Sequence, residues 1–319
     1  MSFLKISEKI VLNKLKKIKN GNLKLINYDG KVFHFGSLES NLSADIKINN
    51  PKFYFNIISG GSSALGEAHM NRDFYTSNLT NLIEISAKNI ELVYSFSGSL
   101  KIKKIKNFFK SIFASNTKSK SLQHISKHYD LGNNFFSKWL DKTLTYSSAV
   151  YENENDSIEI AQKNKYQKLI DLLNVKDGNK VLEIGCGWGG FSEYLAKNYN
   201  VSIDCITISK KQFEFTKKRI SDAGLNNKVN VLFLDYRDLQ DKYDKIVSIE
   251  MIEAVGENYL GKYFETIKKS LNKDGSAALQ GITIRDDLFD RYKRSEDFIQ
   301  KYIFPGGFLP SVNLMKTLI

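Results

Sequence analysis

Lys180-Val181-Leu182-Glu183-Ile184-Gly185-Cys186-Gly187-Trp188-Gly189-Gly190 constrains this chain more than any other stretch. A short apolar run ends in an acid, passes into glycines at every second position, and opens into a helical pattern at Phe191-Ser192-Glu193. The expected local structure is a strand, a tight turn and a helix start. Without side chains at Gly185, Gly187 and Gly189, a nucleotide-like ligand can press against the backbone near the helix N-terminus. Gly185-x-Gly187-x-x-Gly190 also satisfies the dinucleotide fingerprint, so the glycines alone do not settle which ligand binds.

The acids discriminate. A dinucleotide site needs an acid at the end of the next strand, about 20 residues on, to hold a ribose. The next expected strand, residues 201–208, runs into Thr207-Ile208-Ser209, and its one acid, Asp204, lies mid-strand. Glu183, two residues before the first glycine, suits a cofactor's ammonium or its water shell. The combination favours S-adenosylmethionine.

With 319 residues the chain has room for one large or two medium domains. It contains no uncharged apolar run long enough to span a bilayer, and its start lacks a secretory pattern. Cys186 and Cys205 fall on adjacent expected strands and read as buried small residues, which fits a reducing cytoplasm. No His/Cys cluster has metal-site spacing, so no metal is expected. The net charge of +12 is unevenly placed. Residues 1–120 hold 19 Lys and Arg against 8 Asp and Glu, whereas the rest is nearly balanced. Such a field attracts polyanions, either nucleic acid or an anionic membrane surface. No RNA or DNA recognition motif accompanies it, so nucleic acid is not expected.

Three regions follow. Residues 1–100 are expected to form a small α+β domain, with lipid binding as its candidate role. It would hold a helix over 1–20, strands at 23–26, 32–35 and 44–48, helix or strand at 52–58, and helices at 64–73 and 78–89. Residues 101–123 form a basic amphipathic segment and linker. Ile102, Ile105, Phe109 and Ile112 make one stripe among five lysines, suited either to packing on the protein or to a membrane interface. Residues 124–319 alternate strands (180–184, 201–208, 229–234, 245–249, 276–284) with helices such as 211–223 and 258–271. The fold class expected is α/β, a doubly wound, Rossmann-like parallel sheet. Its ligand should sit beyond the carboxyl ends of the strands, where Gly185–Gly189, Thr207–Ser209, Asp235-Tyr236, Glu250–Glu253 and Gln280 converge.

Several stretches carry a resemblance: His128-Tyr129-Asp130-Leu131-Gly132-Asn133, Leu144-Thr145-Tyr146-Ser147-Ser148-Ala149, Glu183 to Gly190, and Thr207-Ile208-Ser209-Lys210-Lys211-Gln212. Asp235-Tyr236-Arg237-Asp238-Leu239, Glu250-Met251-Ile252-Glu253-Ala254-Val255-Gly256 and the run from Tyr302 to Ser311 continue it. In this order and spacing the chain resembles the cyclopropane-fatty-acyl-phospholipid synthase family of S-adenosylmethionine-dependent class I methyltransferases. Gly66-Glu67-Ala68-His69-Met70 resembles a segment in the N-terminal domain of its longer members.

The resemblance implies methyl transfer from S-adenosylmethionine to the cis double bond of an unsaturated acyl chain in a membrane phospholipid. An alkene is a feeble nucleophile and must be held against the methyl in a dry pocket. The resulting carbocation would be stabilised by aromatic faces and a buried carboxylate, and a bound bicarbonate is the expected base. Carried over by position, Tyr146 and Ser147 would touch the cofactor. Gly185, Cys186, Gly187 and Gly189, with Glu183, would serve its amino-acid end. Thr207 and Gln212 would hold the sugar side, Tyr236 would lie near the adenine, Ser209 and Asp235 would also belong to the cofactor site, and Glu253 would hold the bicarbonate and face the cation. The implied setting is cytoplasmic, peripheral on the inner face of the membrane, and a homodimer is compatible with it.

Three departures alter the anion site. Ser148 stands where many members have Cys, Ala254 where many have His, and Gln280 where many have His at the end of strand five. Neither serine nor glutamine titrates near neutrality as histidine can. Glu253, Ser148 and Gln280 are therefore the catalytic candidates. The product is a cyclopropane or, as the alternative, a methyl- or methylene-branched chain. A soluble small-molecule methyltransferase and a non-catalytic binding protein are the readings from other classes. Because the chain stops at Leu318-Ile319 within the helix after strand five, the sheet is expected to be truncated at its C-terminal side.

Overall fold

A computed structural model describes residues 3–60, 63–96, 132–294 and 296–319. The amphipathic segment and linker at 101–123 and the motif residues 128–131 lie outside the described residues. The chain divides into two compact units: one draws on the N-terminal residues together with Arg294–Tyr302, the other on the remainder up to Lys293 and on Ile303–Ile319.

In the first unit the strands β1 (Asn22–Ile26), β2 (Val32–Gly36), β3 (Ser43–Ile48) and β4 (Phe74–Tyr75) form a mixed sheet in the order β2-β1-β3-β4. β1 pairs antiparallel with β2 and parallel with β3. Alternation buries Leu23, Leu25, Ala44, Ile46 and Ile48 on one face. That face is covered from α1 (Phe3–Leu15), α2 (Lys52–Gly60) and α4 (Leu79–Lys88) by Val11, Phe53, Tyr54, Leu82 and Ile85. The stretch after Pro51 is thus helix, because Phe53, Tyr54 and Ile58 share one helical face. In α3 (Ala64–Met70), Glu67 pairs with Lys301 at 2.5 Å, and a Cβ at Gly66 would stand 2.5 Å from the Phe298 ring. Neither β4 nor α5 (Ile90–Phe96) was foreseen from the sequence.

The second unit is built on five parallel strands, β5 (Lys180–Ile184), β6 (Ser202–Thr207), β7 (Val229–Phe233), β8 (Tyr243–Ile249) and β9 (Leu271–Gln280). Their order is β7-β6-β5-β8-β9. Val181, Leu182 and Ile184 of the central strand are fully buried, as a strand covered on both faces requires. The chain steps outward from β5 to β7 and then returns to pair β8 with β5. The switch point therefore lies between the ends of β5 and β8, at Gly185 and Glu250. β9 differs from the expected strand five: it begins earlier and ends at Gln280. The N–H of Ile282 is taken by Glu253 Oε1, and Ile284 makes only an isolated bridge to Ser311.

The helices of this unit are α6 (Asn133–Phe136), α7 (Ile158–Leu173), α8 (Gly190–Asn198), α9 (Lys210–Asp222), α10 (Leu260–Ser270), α11 (Asp286–Lys293) and α12 (Val312–Leu318). α7 was not anticipated. Ser157 caps it by accepting from the N–H of Ile160 at 3.3 Å, and Asn174 ends it in the left-handed region at φ 49°. Its buried face carries Ala161, Gln162, Lys165, Tyr166, Leu169, Ile170 and Leu173, so two polar side chains ride on an otherwise apolar stripe. Among the described residues no helix is long and apolar enough to cross a membrane.

Candidate active site

The glycine loop between β5 and α8 is braced from α9. Thr216 Oγ1 donates to the carbonyl of Gly187 at 3.1 Å. Arg219 donates to the carbonyls of Trp188 at 3.0 Å and Thr143 at 2.7 Å while pairing with Glu193 at 2.5 Å. One guanidinium thus ties the cofactor loop to the segment leading into Tyr146. A Cβ added at Gly187 would meet no atom within 4 Å, so the loop presents an open, backbone-lined cradle at a helix start.

The flanks of this cradle are set by β6 and β7. Thr207 Oγ1 donates to Gln212 Oε1 at 2.9 Å, and Ser209 caps α9; all three residues are buried. Cys186 is a buried free thiol whose acidity is suppressed by its contact with Cys205 and by burial, so its place here is one of packing. At the end of β7 the Asp235 carboxylate is held twice by Arg237, at 2.8 and 2.6 Å. The Tyr236 ring lies edge-on to Tyr263 at 5.2 Å, inside the core, and burial pushes its phenol up to about 12. Both of these side chains, expected at the cofactor, are thus engaged with neighbours of their own.

Below the cradle lies a buried pair of opposite charges. Glu183 accepts a hydrogen bond from Ser192 Oγ, and burial pushes its carboxyl up to about 7, with Ser192 and Lys165 partly opposing. Lys165 is 1% exposed. Its Nζ donates to Ser147 Oγ at 2.5 Å, and burial pulls its ammonium down to about 8 against the fields of Glu250, Asp141 and Glu183. Beside it Gln162 Nε2 donates to the Ser147 carbonyl at 2.8 Å. Neither Gln162 nor Lys165 was singled out from the sequence. A lysine and a glutamine three apart on the apolar stripe of a capped helix are the signal that marks them.

A pH dependence follows from these shifts. The Glu183 carboxyl titrates higher folded than unfolded, so its contribution to stability falls as pH rises from 4.5 to about 7. The Lys165 ammonium titrates lower folded than unfolded, so stability is regained as pH rises from about 8 to 10.5. The two place a stability minimum between those values. Glu183→Gln is expected to remove the acid limb and to stabilise the protein by ~2 kcal/mol near neutrality. Thermal melts of both proteins across this range check it, and superimposable profiles would contradict it.

Beside the cradle, at the switch point, three elements converge on one carboxylate. Glu250 Oε1 accepts from the Ser148 N–H at 2.8 Å, Ser148 Oγ at 2.7 Å and Gln280 Nε2 at 3.0 Å. The Glu250 N–H donates to the Gln280 carbonyl at 2.8 Å. Glu253 stands nearby, its Oε1 on the Ile282 N–H at 2.5 Å and its backbone carbonyl on the Phe308 N–H at 2.8 Å. Burial raises the Glu253 carboxyl above its ordinary range. Its Oε2 is buried with no hydrogen-bond partner among the described residues, an acceptor that a bound ligand would complete.

An aromatic wall closes the site. Tyr146 packs against Phe136 at 5.5 Å, Trp139 at 5.3 Å and Phe304 at 6.1 Å, and Phe136 lies 4.9 Å from Trp188. Trp188 Nε1 donates to Asn133 Oδ1 at 2.9 Å. The wall continues outward to Phe135 and Trp139, which stay 43% and 48% exposed, so its rim is apolar and wet.

S-adenosylmethionine fits the glycine cradle, through the open face of Gly187. Of the groups expected around a bicarbonate, the donors of Ser148 and Gln280 point at Glu250 Oε1, while Glu253 Oε2 has no partner among the described residues.

Comparison with known proteins matches residues 116–319 to the family described as mycolic acid cyclopropane synthetase. The chain is 36% identical over 283 residues to the cyclopropane-fatty-acyl-phospholipid synthase of Escherichia coli (strain K12), covering 86% of this chain and 69% of that protein. It is 32% identical over 258 residues to a tuberculostearic acid methyltransferase of Mycobacterium tuberculosis, covering 79% of this chain and 60% of that protein. Among solved structures, a mycolic acid cyclopropane synthase complexed with SAH and CTAB superposes with a TM-score of 0.58 at 28% identity, over 62% of this chain and 72% of the other. A cyclopropane synthase from Mycobacterium tuberculosis does so with a TM-score of 0.57 at 30% identity, over the same shares.

Proposed function

The chain belongs to the mycolic acid cyclopropane synthetase family of S-adenosylmethionine-dependent methyltransferases and has their α/β fold, and from that premise we propose that it methylates the cis double bond of unsaturated acyl chains in membrane phospholipids to give cyclopropane chains. The family makes it a fatty acyl methyltransferase. The observation that carries the finer reading is the aromatic wall of Phe136, Trp139, Tyr146 and Phe304 beside two carboxylates, Glu250 and Glu253. A nitrogen or oxygen acceptor would need a polar pocket around the acceptor atom. An alkene needs a dry pocket that faces a cation with rings and negative charge.

When bound, the cofactor supplies an electrophilic methyl on a sulfonium. The residues divide the remaining work. The Gly185–Gly189 backbone receives its amino-acid end, above the buried Glu183. Thr207, Ser209 and Gln212 take the sugar side, and the end of β7 at Asp235-Tyr236 borders the base. Tyr146 and Ser147 close over the reacting end, with Ser147 held by Lys165 and Gln162. The rings exclude water and face the cation that forms on the acyl chain, and Glu253 adds negative charge there. The basic N-terminal third provides the attraction to anionic headgroups that a lipid substrate demands.

A second reading, a methyl- or methylene-branched acyl product, draws on the tuberculostearic acid methyltransferase among the relatives. The test of substrate class uses the full chain, vesicles of anionic phospholipid with cis-monounsaturated chains, and S-adenosylmethionine labelled in its methyl. Label is expected in the acyl chains, at a rate that falls as salt screens the surface. Cofactor binding without label in lipid would overturn the lipid reading.

A further inference from the structure

We infer that this protein carries its proton acceptor covalently, as the carboxylate of Glu250, in the place where the family resemblance implies a dissociable bicarbonate. The inference rests on the lipid-methylating reading and names the base of that reaction.

Three observations carry it. First, Glu250 is one of the few non-glycine residues, among the described ones, with a left-handed backbone, at φ 48°, a conformation that costs a side chain and persists where surrounding structure demands it. Here that backbone is fixed by the N–H of Glu250 on the Gln280 carbonyl, at the junction where β8 ends. Second, two of the three positions that depart from the family's anion site grip this carboxylate. Ser148 gives it both its N–H and its hydroxyl, and Gln280 gives its amide. An uncharged donor pair is what a permanent carboxylate needs, since a histidine there would compete for the proton. Third, all three hydrogen bonds fall on Oε1, which leaves Oε2 outside them and able to receive a proton while Oε1 stays anchored.

The step balances within the reactants. The π pair of the alkene forms the new C–C bond to the methyl as the S–CH3 bond of S-adenosylmethionine breaks. The electron pair of that bond leaves with the neutral thioether S-adenosylhomocysteine, and the neighbouring carbon of the alkene becomes cationic. Glu250 takes a proton from the added methyl, and the electron pair of that C–H bond closes the ring on the cationic carbon. The acyl product is neutral, and the carboxylic acid returns its proton to water. No oxidant or reductant is required.

The test uses the full chain under carbon-dioxide-free gas, with vesicles of cis-unsaturated anionic phospholipid. The wild type is expected to methylate lipid at the same rate with and without added bicarbonate. Glu250→Gly should lose at least 100-fold in turnover, bind S-adenosylmethionine as before, and regain activity with added bicarbonate or formate. Because glycine is unstrained at this φ, its melting temperature should be no lower than the wild type's. Glu250→Gln should be equally inactive and gain nothing from bicarbonate. An independent readout is 13C NMR of labelled bicarbonate with S-adenosylhomocysteine present: no bound signal with the wild type, and one with Glu250→Gly. Bicarbonate-dependent turnover or bound bicarbonate in the wild type, or an active Glu250→Gly in its absence, would overturn the assignment. If the wild type leaves lipid unlabelled yet the NMR pattern holds, the lipid reading fails and the anion assignment stands.

Discussion

Gly187→Ala is expected to weaken S-adenosylmethionine binding at least 100-fold while leaving the fold in place. The new methyl would meet no protein atom, so only the left-handed backbone at φ 53° is penalised, by ~1 kcal/mol. The methyl would instead fill the face against which the ligand must press. Gly189→Ala differs in kind: its Cβ would stand 2.6 Å from Thr216 Cγ2, at φ 80°. Thr216 is the residue that holds the Gly187 carbonyl, so the clash moves the cradle itself and should cost ~2–4 kcal/mol of stability as well as binding. Gly224→Ala serves as the control, with φ 69° and open space around it at the far end of α9; it should lose only ~1 kcal/mol and bind normally. Calorimetric titration and urea melts of the three variants separate these outcomes. Wild-type affinity in Gly187→Ala would mean that the ligand does not lie against this loop.

The second large effect belongs to a residue with no place in the sequence motifs. Lys165→Met is expected to lower kcat about 100-fold, with stability unchanged or increased. Burying an ammonium opposes folding, and methionine fills the same channel without that penalty. What is lost is the clamp: Lys165 Nζ on Ser147 Oγ and Gln162 Nε2 on the Ser147 carbonyl fix the short segment bearing Tyr146, Ser147 and Ser148. Displacement of reacting groups by even ~1 Å costs on the order of 100-fold in rate. The effect should fall on kcat more than on cofactor affinity, because the glycine cradle keeps its own brace in Thr216. Steady-state kinetics with thermal melts check it, and a stable Lys165→Met with wild-type kcat would remove Lys165 from a positioning role.

These two variants also mark what the sequence discloses and what it withholds. The glycine cradle is legible because strand, turn and helix start are contiguous and each leaves a local signature. The order of elements in the second unit is legible for the same reason. Lys165 is harder: its helix has a cap and an apolar stripe, but a lysine on that stripe reads as a solvated face until burial is known. Glu250 was visible only as a strand-end residue on the ligand's edge and as the first residue of a matching stretch. Its meaning depends on Ser148 and Gln280, 102 and 30 residues away, and on a backbone angle that no composition records. Asp235 and Tyr236 show the opposite failure. They stand at the expected strand end, yet Arg237 and Tyr263 occupy their side chains, since a polar or aromatic residue beside a site has its own packing to satisfy.

The most direct test of the account follows the deuterium. The full chain is given S-adenosylmethionine bearing a CD3 group and vesicles of cis-monounsaturated anionic phospholipid, and the acyl chains are then analysed by mass spectrometry and ozonolysis. Removal of a deuteron from the added methyl by a carboxylate predicts a CD2 unit in an ozone-resistant, ring-bearing chain. A chain that keeps the whole CD3 group, or lipid that gains no deuterium while the cofactor binds, would contradict it.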